Sequence, residues 1–168
     1  MAQSQNSSTL LDTASLKALT NARVAIVCTE WNDKIVAELV NGAERICNDI
    51  NAVIVKKVVV PGCVEIPFAI KQLWAHYERS GTDKPEAIIA FGAVIRGGTP
   101  HFEYVCQSVT DGITQLNLTL PVPVIFGVLT LENDAQAWER LGGVHGHKGE
   151  EAAIAALKMI QNSRMLNA

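Results

Sequence analysis

The chain has 168 residues, of which 48% are hydrophobic and 18% are charged, and its formal net charge at pH 7 is −3. This length allows one domain with a sizeable core, and the absence of any block rich in lysine and arginine argues against nucleic-acid binding. No apolar run reaches membrane-spanning length, the N-terminus lacks a signal-peptide pattern, and the four cysteines have no metal or disulfide spacing. We therefore expect a cytoplasmic protein with reduced thiols that binds neither nucleic acid nor membrane.

Residues 1–22 precede the first regular pattern and are predicted to form an N-terminal arm, with the folded domain spanning residues 23–168. The first predicted strand covers residues 24–28. It is followed by a helix that Asn32 or Asp33 can cap, and then by a second strand over residues 53–60.

The pattern of strand and helix continues to the end of the chain. A helix from residue 66 or 67 to about 79 is predicted to turn Phe68, Ile70, Leu73 and Trp74 inward. The remaining predicted elements are a strand at 87–95, a helix at about 100–118, a strand at 122–129, a helix at about 133–141 ended by two glycines, and a helix at about 148–165.

This alternation predicts a three-layer α/β/α architecture of flavodoxin-like type. A central four-stranded parallel sheet would carry helices on both faces. In such sheets ligands bind at the carboxyl ends of the strands. The residues that follow the strands are unusual there: an aromatic side chain, an acid, a glycine pair and a histidine.

The turn after the third strand carries the clearest chemical signal. Gly97-Gly98 lets backbone N–H groups approach an anion, and the helix that begins near Pro100 adds partial positive charge. His101 lies in the first helical turn, where a group that donates and accepts protons near neutral pH can act. Together with the adjacent Arg96, these residues favour a site for a phosphate-containing small molecule.

Other candidates are weaker taken singly. Trp31 is either a stacking platform or an ordinary interface aromatic, and Glu65 is either paired, exposed or holding a polyhydroxyl ligand. Arg140 near the end of a helix most often complements the helix dipole. His145 and His147 stand in a glycine-containing loop without partner ligands, so we predict no metal site.

Several blocks, taken in this order, resemble the 6,7-dimethyl-8-ribityllumazine synthase family over about residues 23–160. The blocks are Trp31-Asn32, residues 61–67 (PGCVEIP), residues 92–105 (GAVIRGGTPHFEYV), residues 123–127 (PVIFG), and Glu139-Arg140 followed by Lys148-Gly149. The resemblance implies the penultimate step of riboflavin synthesis. In that step 5-amino-6-ribitylamino-2,4-pyrimidinedione condenses with 3,4-dihydroxy-2-butanone 4-phosphate, without metal or organic cofactor.

The resemblance also implies roles for individual residues. His101 would transfer protons, and Arg140 would anchor the phosphate, whose cradle Gly98 and Thr99 would complete. Trp31 would stack on the pyrimidine ring, and further substrate-binding positions are implied by the family. Those positions are Phe126 from a neighbouring subunit against the other side of the ring, Glu65 at the ribityl hydroxyls, Lys148 near the heterocycle, and Asn32, Cys63, Val64, Ala93, Val94 and Ile95 around the ligand.

Family members are pentamers with sites between adjacent subunits, and in many cases twelve pentamers form an icosahedral shell. The resemblance therefore implies a homopentamer, a 60-subunit shell favoured by the short spacing from Arg140 to Lys148, and functional coupling to riboflavin synthase. Two alternatives stay open: a non-catalytic flavin- or lumazine-binding or shell protein on this scaffold, and an unrelated flavodoxin-like regulatory domain. The presence of His101 and Arg140 favours the enzyme.

Overall fold

The structure is a computed structural model of the chain and describes residues 12–168. Within these residues no helix is long and apolar enough to cross a membrane. The strands are β1 (Arg23–Thr29), β2 (Val53–Val60), β3 (Ala87–Ile95), β4 (Val124–Leu131), β5 (Leu141–Gly143) and β6 (Gly146–His147). The α-helices are α1 (Asp33–Ile50), α2 (Ile66–Ser80), α3 (His101–Thr119), α4 (Asp134–Trp138) and α5 (Lys148–Leu166), with 3₁₀ turns at Ala14–Ala18 and Cys63–Glu65.

The central sheet has the strand order β2-β1-β3-β4, and all its pairings are parallel. Strand β3 is buried along nearly its whole length, as expected from its unbroken apolar sequence. Strand β2 lies at one edge and is largely exposed or half-buried. The predicted parallel four-stranded sheet is confirmed.

Helices cover both faces of this sheet. One hydrophobic cluster joins α1 and α5 to one face of the sheet, with Leu39, Phe91 and Leu157 fully buried in it. A second cluster joins α2 and α3 to the opposite face, around Ile66, Ile70 and Val109. This arrangement confirms the three-layer α/β/α architecture.

Two predicted details are wrong. Phe68 does not turn inward but exposes 68% of its surface. It lies two residues after the buried Ile66 and two before the buried Ile70, and a step of two residues in a helix reaches nearly the opposite side. The apolar stripe of α2 therefore leaves Phe68 facing outward.

The predicted helix at about 133–141 is also shorter than expected. Helix α4 ends at Trp138, and Leu141–Gly143 pairs with Gly146–His147 as a small antiparallel hairpin. Gly142 adopts a φ of 105°, which a helix cannot continue through. The two glycines thus build a hairpin strand.

The described part of the predicted N-terminal arm packs on the domain. Leu16, Leu19 and Ala22 are buried in the cluster that contains α1 and α5. The Gln161 side-chain amide donates to the Ser15 carbonyl at 3.2 Å. Residues 1–11 lie outside the described residues, and the division of the chain at residues 22 and 23 stays a prediction.

Candidate active site

A cavity of about 480 Å³ opens at the carboxyl ends of β1 and β3. Its lining comes from the end of β1, the turn after β2, the end of β3 and the start of α3, as parallel strands bring their carboxyl ends to one edge. The predicted site residues that line it are Trp31, Asn32, Cys63, Val64, Glu65, Ala93, Val94, Ile95 and His101.

The backbone around Trp31 is fixed while its ring is free. The Trp31 N–H donates to the Pro61 carbonyl at 3.2 Å, and the hydroxyl of the buried Thr29 donates to the Trp31 carbonyl at 3.1 Å. The side chain is 74% exposed at the mouth of the cavity. Its indole therefore offers an uncovered flat face to a ligand.

Asn32 holds two strands together at the same place. It adopts a left-handed backbone conformation, with φ 60°, and precedes the first residue of α1. Its side chain makes no capping bond, which corrects the expectation that Asn32 caps this helix through its side chain. Instead, Nδ2 donates to the Ala93 carbonyl at 2.8 Å, so the side chain bridges from the end of β1 to the end of β3.

The turn Cys63–Glu65 forms one side of the cavity. Cys63 is buried, and burial raises the pKa of its thiol to about 12, with Cys106 and Glu65 adding to the shift. A thiol with such a pKa stays protonated and lines the cavity as a neutral group rather than acting as a nucleophile. Val64 is 47% exposed and Glu65 is exposed, so the cavity combines an apolar contact with a carboxylate.

The glycine turn lies beside this cavity. A second, smaller cavity of about 340 Å³ is lined by residues 96–100 and Glu103, and it includes the predicted Gly98 and Thr99. A Cβ placed at Gly97 or Gly98 would meet no atom within 4 Å, so there is room for a ligand against the backbone. His101 begins α3 and lines the larger cavity, next to this turn.

Three predicted residues line neither of these cavities. Phe126 is 37% exposed on the edge strand β4. It lies five residues before Leu131, which pairs with the cavity residue Ile95, so Phe126 is about 16 Å along the strand from the level of the cavity. Arg140 donates from Nη1 to the Gln136 carbonyl at 2.9 Å. Lys148 donates from Nζ to both carboxylate oxygens of Glu151, at 2.7 and 2.8 Å.

Arg140 and Lys148 are nevertheless neighbours. The Lys148 N–H donates to the Arg140 carbonyl at 2.8 Å across the β5–β6 hairpin. Next to them, His147 is 8% exposed, and its Nε2 lies 3.1 Å from Glu38 Oε1 on α1. The residues on either side of the hairpin, Arg140 and Lys148, are thus joined through their backbones, and neither lines a cavity described above.

Sequence reasoning missed two lining residues and one tether. Gly62 and Val105 also line the larger cavity. Val105 lies four residues after His101, so helical spacing could have indicated it. The tether, the contact between His147 and Glu38, joins residues 109 positions apart, and no local sequence pattern predicts it.

The comparisons with known proteins agree on one family. A profile of the 6,7-dimethyl-8-ribityllumazine synthase family matches residues 21–164. A protein of Porphyromonas gingivalis with that name is 48% identical over 139 residues, which cover 82% of this chain and 83% of the relative. Relatives of the same name from Parabacteroides distasonis and Bacteroides fragilis are 42% and 43% identical, covering 83% and 86% of this chain and 85% and 99% of the relatives.

Proposed function

The chain belongs to the 6,7-dimethyl-8-ribityllumazine synthase family, and on that premise we propose how its cavity carries out the family's reaction. The enzyme condenses 5-amino-6-ribitylamino-2,4-pyrimidinedione with 3,4-dihydroxy-2-butanone 4-phosphate in riboflavin biosynthesis. The products are 6,7-dimethyl-8-ribityllumazine, phosphate and water. The observation that supports this use of the site is the junction of an aromatic-walled cavity with a glycine turn at one edge of the sheet.

The pyrimidine substrate fits the larger cavity. The exposed Trp31 indole stacks on the heterocycle, and the Glu65 carboxylate accepts hydrogen bonds from ribityl hydroxyls. Asn32, Cys63 and Val64 form the surrounding wall, while residues 93–95 offer backbone groups at the end of β3. Binding at a strand end holds the amino group of this substrate towards the start of α3.

The phosphate of the second substrate fits the glycine turn. Gly98 and Thr99 contribute backbone N–H groups and a hydroxyl, and the N-terminus of α3 adds partial positive charge. The planar guanidinium of Arg140 matches a phosphate dianion. In this arrangement the carbonyl of the butanone lies between the phosphate cradle and the bound pyrimidine.

His101 then handles the protons. The amine attacks the butanone carbonyl, and water leaves to give an imine. Loss of a proton from the adjacent carbon and of phosphate then gives an enol, which tautomerises to a ketone. The second nitrogen attacks this ketone, and loss of a second water closes the ring. Each step moves a proton, and an imidazole can give and take protons near neutral pH. Much of the rate comes from holding two substrates in one orientation, so His101 adds to a reaction that positioning already favours.

The test measures lumazine formation and phosphate release in the same assay. Purified protein with both substrates is expected to release phosphate and form fluorescent lumazine. His101→Ala is expected to lower kcat, and Arg140→Ala to raise KM for the butanone phosphate by about tenfold or more. No product above the uncatalysed background, while flavin still binds, would instead indicate a non-catalytic binding protein.

We further propose that a neighbouring subunit supplies Phe126, Arg140 and Lys148 to each site, in a homopentamer that assembles further into a 60-subunit shell. Two observations support a subunit interface: these residues lie away from the cavities of their own chain, and apolar side chains such as Phe68 and Leu118 are largely exposed. The four free thiols fit a cytoplasmic setting, where the product passes to riboflavin synthase.

Shared sites can be tested by mixing two impaired subunits. His101→Ala and Arg140→Ala chains, refolded together in equal amounts, are expected to exceed the average activity of the two parents, because about a quarter of the sites receive both intact residues. Native mass spectrometry of the wild type gives the subunit number. Mixed oligomers that are no more active than the average of the two parents would place both residues of a site on one chain.

A further inference from the structure

Arg96 occupies the junction between the end of β3 and the glycine turn. Its N–H donates to the Leu131 carbonyl at 2.8 Å, which extends the pairing of β3 with β4 by one residue. Its side chain then crosses the turn. The guanidinium carbon lies 4.1 Å from the centre of the Phe102 ring, in the first turn of α3.

The guanidinium is also held by two carboxylates from different elements. Nε donates to Glu132 Oε2 at 2.7 Å, just after the end of β4, and Nη1 donates to Glu103 at the start of α3. Arg96 therefore connects the ends of β3 and β4 to the first turn of α3. Because Nε and Nη1 already donate to carboxylates, the guanidinium is held in place by the two acids and has fewer N–H groups left for a phosphate.

The turn between these fixed points has little packing of its own. A Cβ at Gly97 or Gly98 would meet no atom within 4 Å, and glycine loses more conformational freedom on ordering than any other residue. A turn of this kind is ordered by its ends. Arg96 at one end contacts Phe102 and Glu103 at the other, across residues 97–101, which include His101.

The charges around the turn also indicate a role for Arg96. Glu103 and Glu132 stand beside a turn that is proposed to bind a phosphate dianion, and unpaired carboxylates there would repel it. The hydrogen bond from Arg96 is the first cause that holds the pKa of Glu103 below its ordinary value. The same guanidinium also bonds Glu132, so one cation engages both acids.

We propose that Arg96 is a positioning residue for phosphate binding: it closes residues 97–101 into one conformation and neutralises the two acids beside them, without itself being the phosphate anchor. The proposal rests on the function proposed above, since it concerns the phosphate of the same substrate. Loss of Arg96 should weaken recognition of the phosphate and disturb His101. Binding of the pyrimidine should change little, because the other residues that line its cavity lie outside residues 97–101.

The first test separates the two substrates. Arg96→Gln is expected to raise KM for the butanone phosphate about tenfold and to lower kcat, because His101 lies in the loosened segment. KM for the pyrimidine is expected to change by less than about threefold. Arg96→Lys keeps the charge but lacks the planar fork, and is expected to fall between wild type and Arg96→Gln. Unchanged thermal midpoints would show that the variants are folded, and equal KM values in wild type and Arg96→Gln would overturn the proposal.

A second test distinguishes positioning from direct binding. Glu132→Ala removes a carboxylate and releases Nε of Arg96. If Arg96 bound phosphate directly, this variant would bind phosphate more tightly, since an acid has gone and a cation is free. We expect weaker binding of inorganic phosphate in calorimetry, by about threefold. Tighter binding would overturn the proposal.

Arg45→Gln is the matched control. Arg45 also pairs with two acids, Glu38 and Glu150, and is similarly exposed, but it lies on α1 outside both cavities. It is expected to leave both KM values unchanged. If wild type makes no lumazine, the proposed reaction fails, yet phosphate calorimetry on the Arg96 variants still decides the role of Arg96.

Discussion

Trp31 shows what a single exposed side chain can do at this site. Its backbone is held by hydrogen bonds to Pro61 and from Thr29, whereas its ring is 74% exposed, so folding has ordered an aromatic face without covering it. A flat heterocycle can cover that face and exclude water from it. The larger indole covers more of a fused ring system than a phenyl ring would.

We therefore expect Trp31→Phe to bind riboflavin and the lumazine product about three- to tenfold more weakly than wild type, since aromatic pairs contribute about 0.5–1.5 kcal/mol beyond buried area. Fluorescence titration with each ligand measures the change. Trp138→Phe is the control, because Trp138 is 50% exposed on α4 and does not line the cavity. Equal affinities in wild type and Trp31→Phe would contradict stacking at this position.

The cavity residues could be predicted because their signals are local. A parallel sheet places the residues after its strands at one edge, so Trp31, Glu65 and His101 were expected to converge once the strands were recognised. The partners of individual side chains were not predictable in this way. The bond from Asn32 to the Ala93 carbonyl depends on how β1 and β3 align, a tertiary fact that local sequence does not contain.

At the scale of elements, the start of α5 is fixed by a histidine rather than by its own sequence alone. His147 Nδ1 accepts from the Glu150 N–H at 3.4 Å, and Nε2 lies 3.1 Å from the Glu38 carboxylate on α1. The first bond caps the helix, and the second ties the hairpin to α1. With Glu38 accepting at Nε2, the ring carries its hydrogen there and leaves Nδ1 to accept.

This packing needs a glycine on the facing helix. A Cβ at Gly42 would stand 2.2 Å from Cε1 of His147 and 3.1 Å from the Glu150 nitrogen. We expect Gly42→Ala to destabilise the protein by about 1–3 kcal/mol, although alanine is the better helix former, because overpacking must displace the ring. Urea unfolding at one protein concentration measures the change.

The companion variant is His147→Ala, which removes the ring. Gly42→Ala should cost clearly less in that background than in wild type, because the obstructing ring has gone and the two sites are in contact. An equal cost in both backgrounds would mean that His147 is not the obstacle.

The same tether explains why the sequence predicted α4 and the hairpin incorrectly. Residues 133–141 read as a continuous helix ended by glycines, and nothing nearby indicates a strand pair. The hairpin forms because His147 is anchored on α1 and because Gly143 allows close approach, where a Cβ would stand 2.8 Å from Glu139 Cα. The long strands and helices, by contrast, follow from apolar patterns that do not depend on distant contacts.

For the whole molecule, the two ends of the sheet have different tasks. The carboxyl ends of the strands carry the two cavities proposed to bind the substrates, and the opposite end joins distant parts of the chain. There Arg164, near the end of α5, pairs with Glu86 just before β3, with Nε and Nη2 at 2.8 and 2.9 Å from its two oxygens. Nη1 of Arg164 also donates to the Thr20 carbonyl, and the Arg23 N–H donates to Glu86.

The charge on Glu86 makes this connection sensitive to acid. Burial by itself raises the pKa of Glu86, but the hydrogen bonds from Arg164 and Arg23 and their positive charges bring it below its ordinary value of 4.5. A carboxyl whose pKa is lower in the folded than in the unfolded state stabilises the fold above the unfolded value, and this contribution is lost as pH falls through the folded value. The stabilisation is therefore present at neutral pH and disappears below about pH 4.5.

Glu86→Gln is expected to lower the free energy of unfolding by about 1–2 kcal/mol at pH 7, a modest value because the pair is partly exposed. The difference in unfolding free energy from wild type should shrink when urea unfolding is repeated at lower pH, towards about pH 3.5. KM for both substrates at pH 7 should stay unchanged, because Glu86 lies at the opposite end of the sheet from the substrate cavities. Glu44→Gln, which loses only an exposed pair with Lys57, should show little change at either pH. A difference between Glu86→Gln and wild type that is as large in acid as at pH 7 would mean that the Glu86 charge is not what ties α5 to the start of the domain.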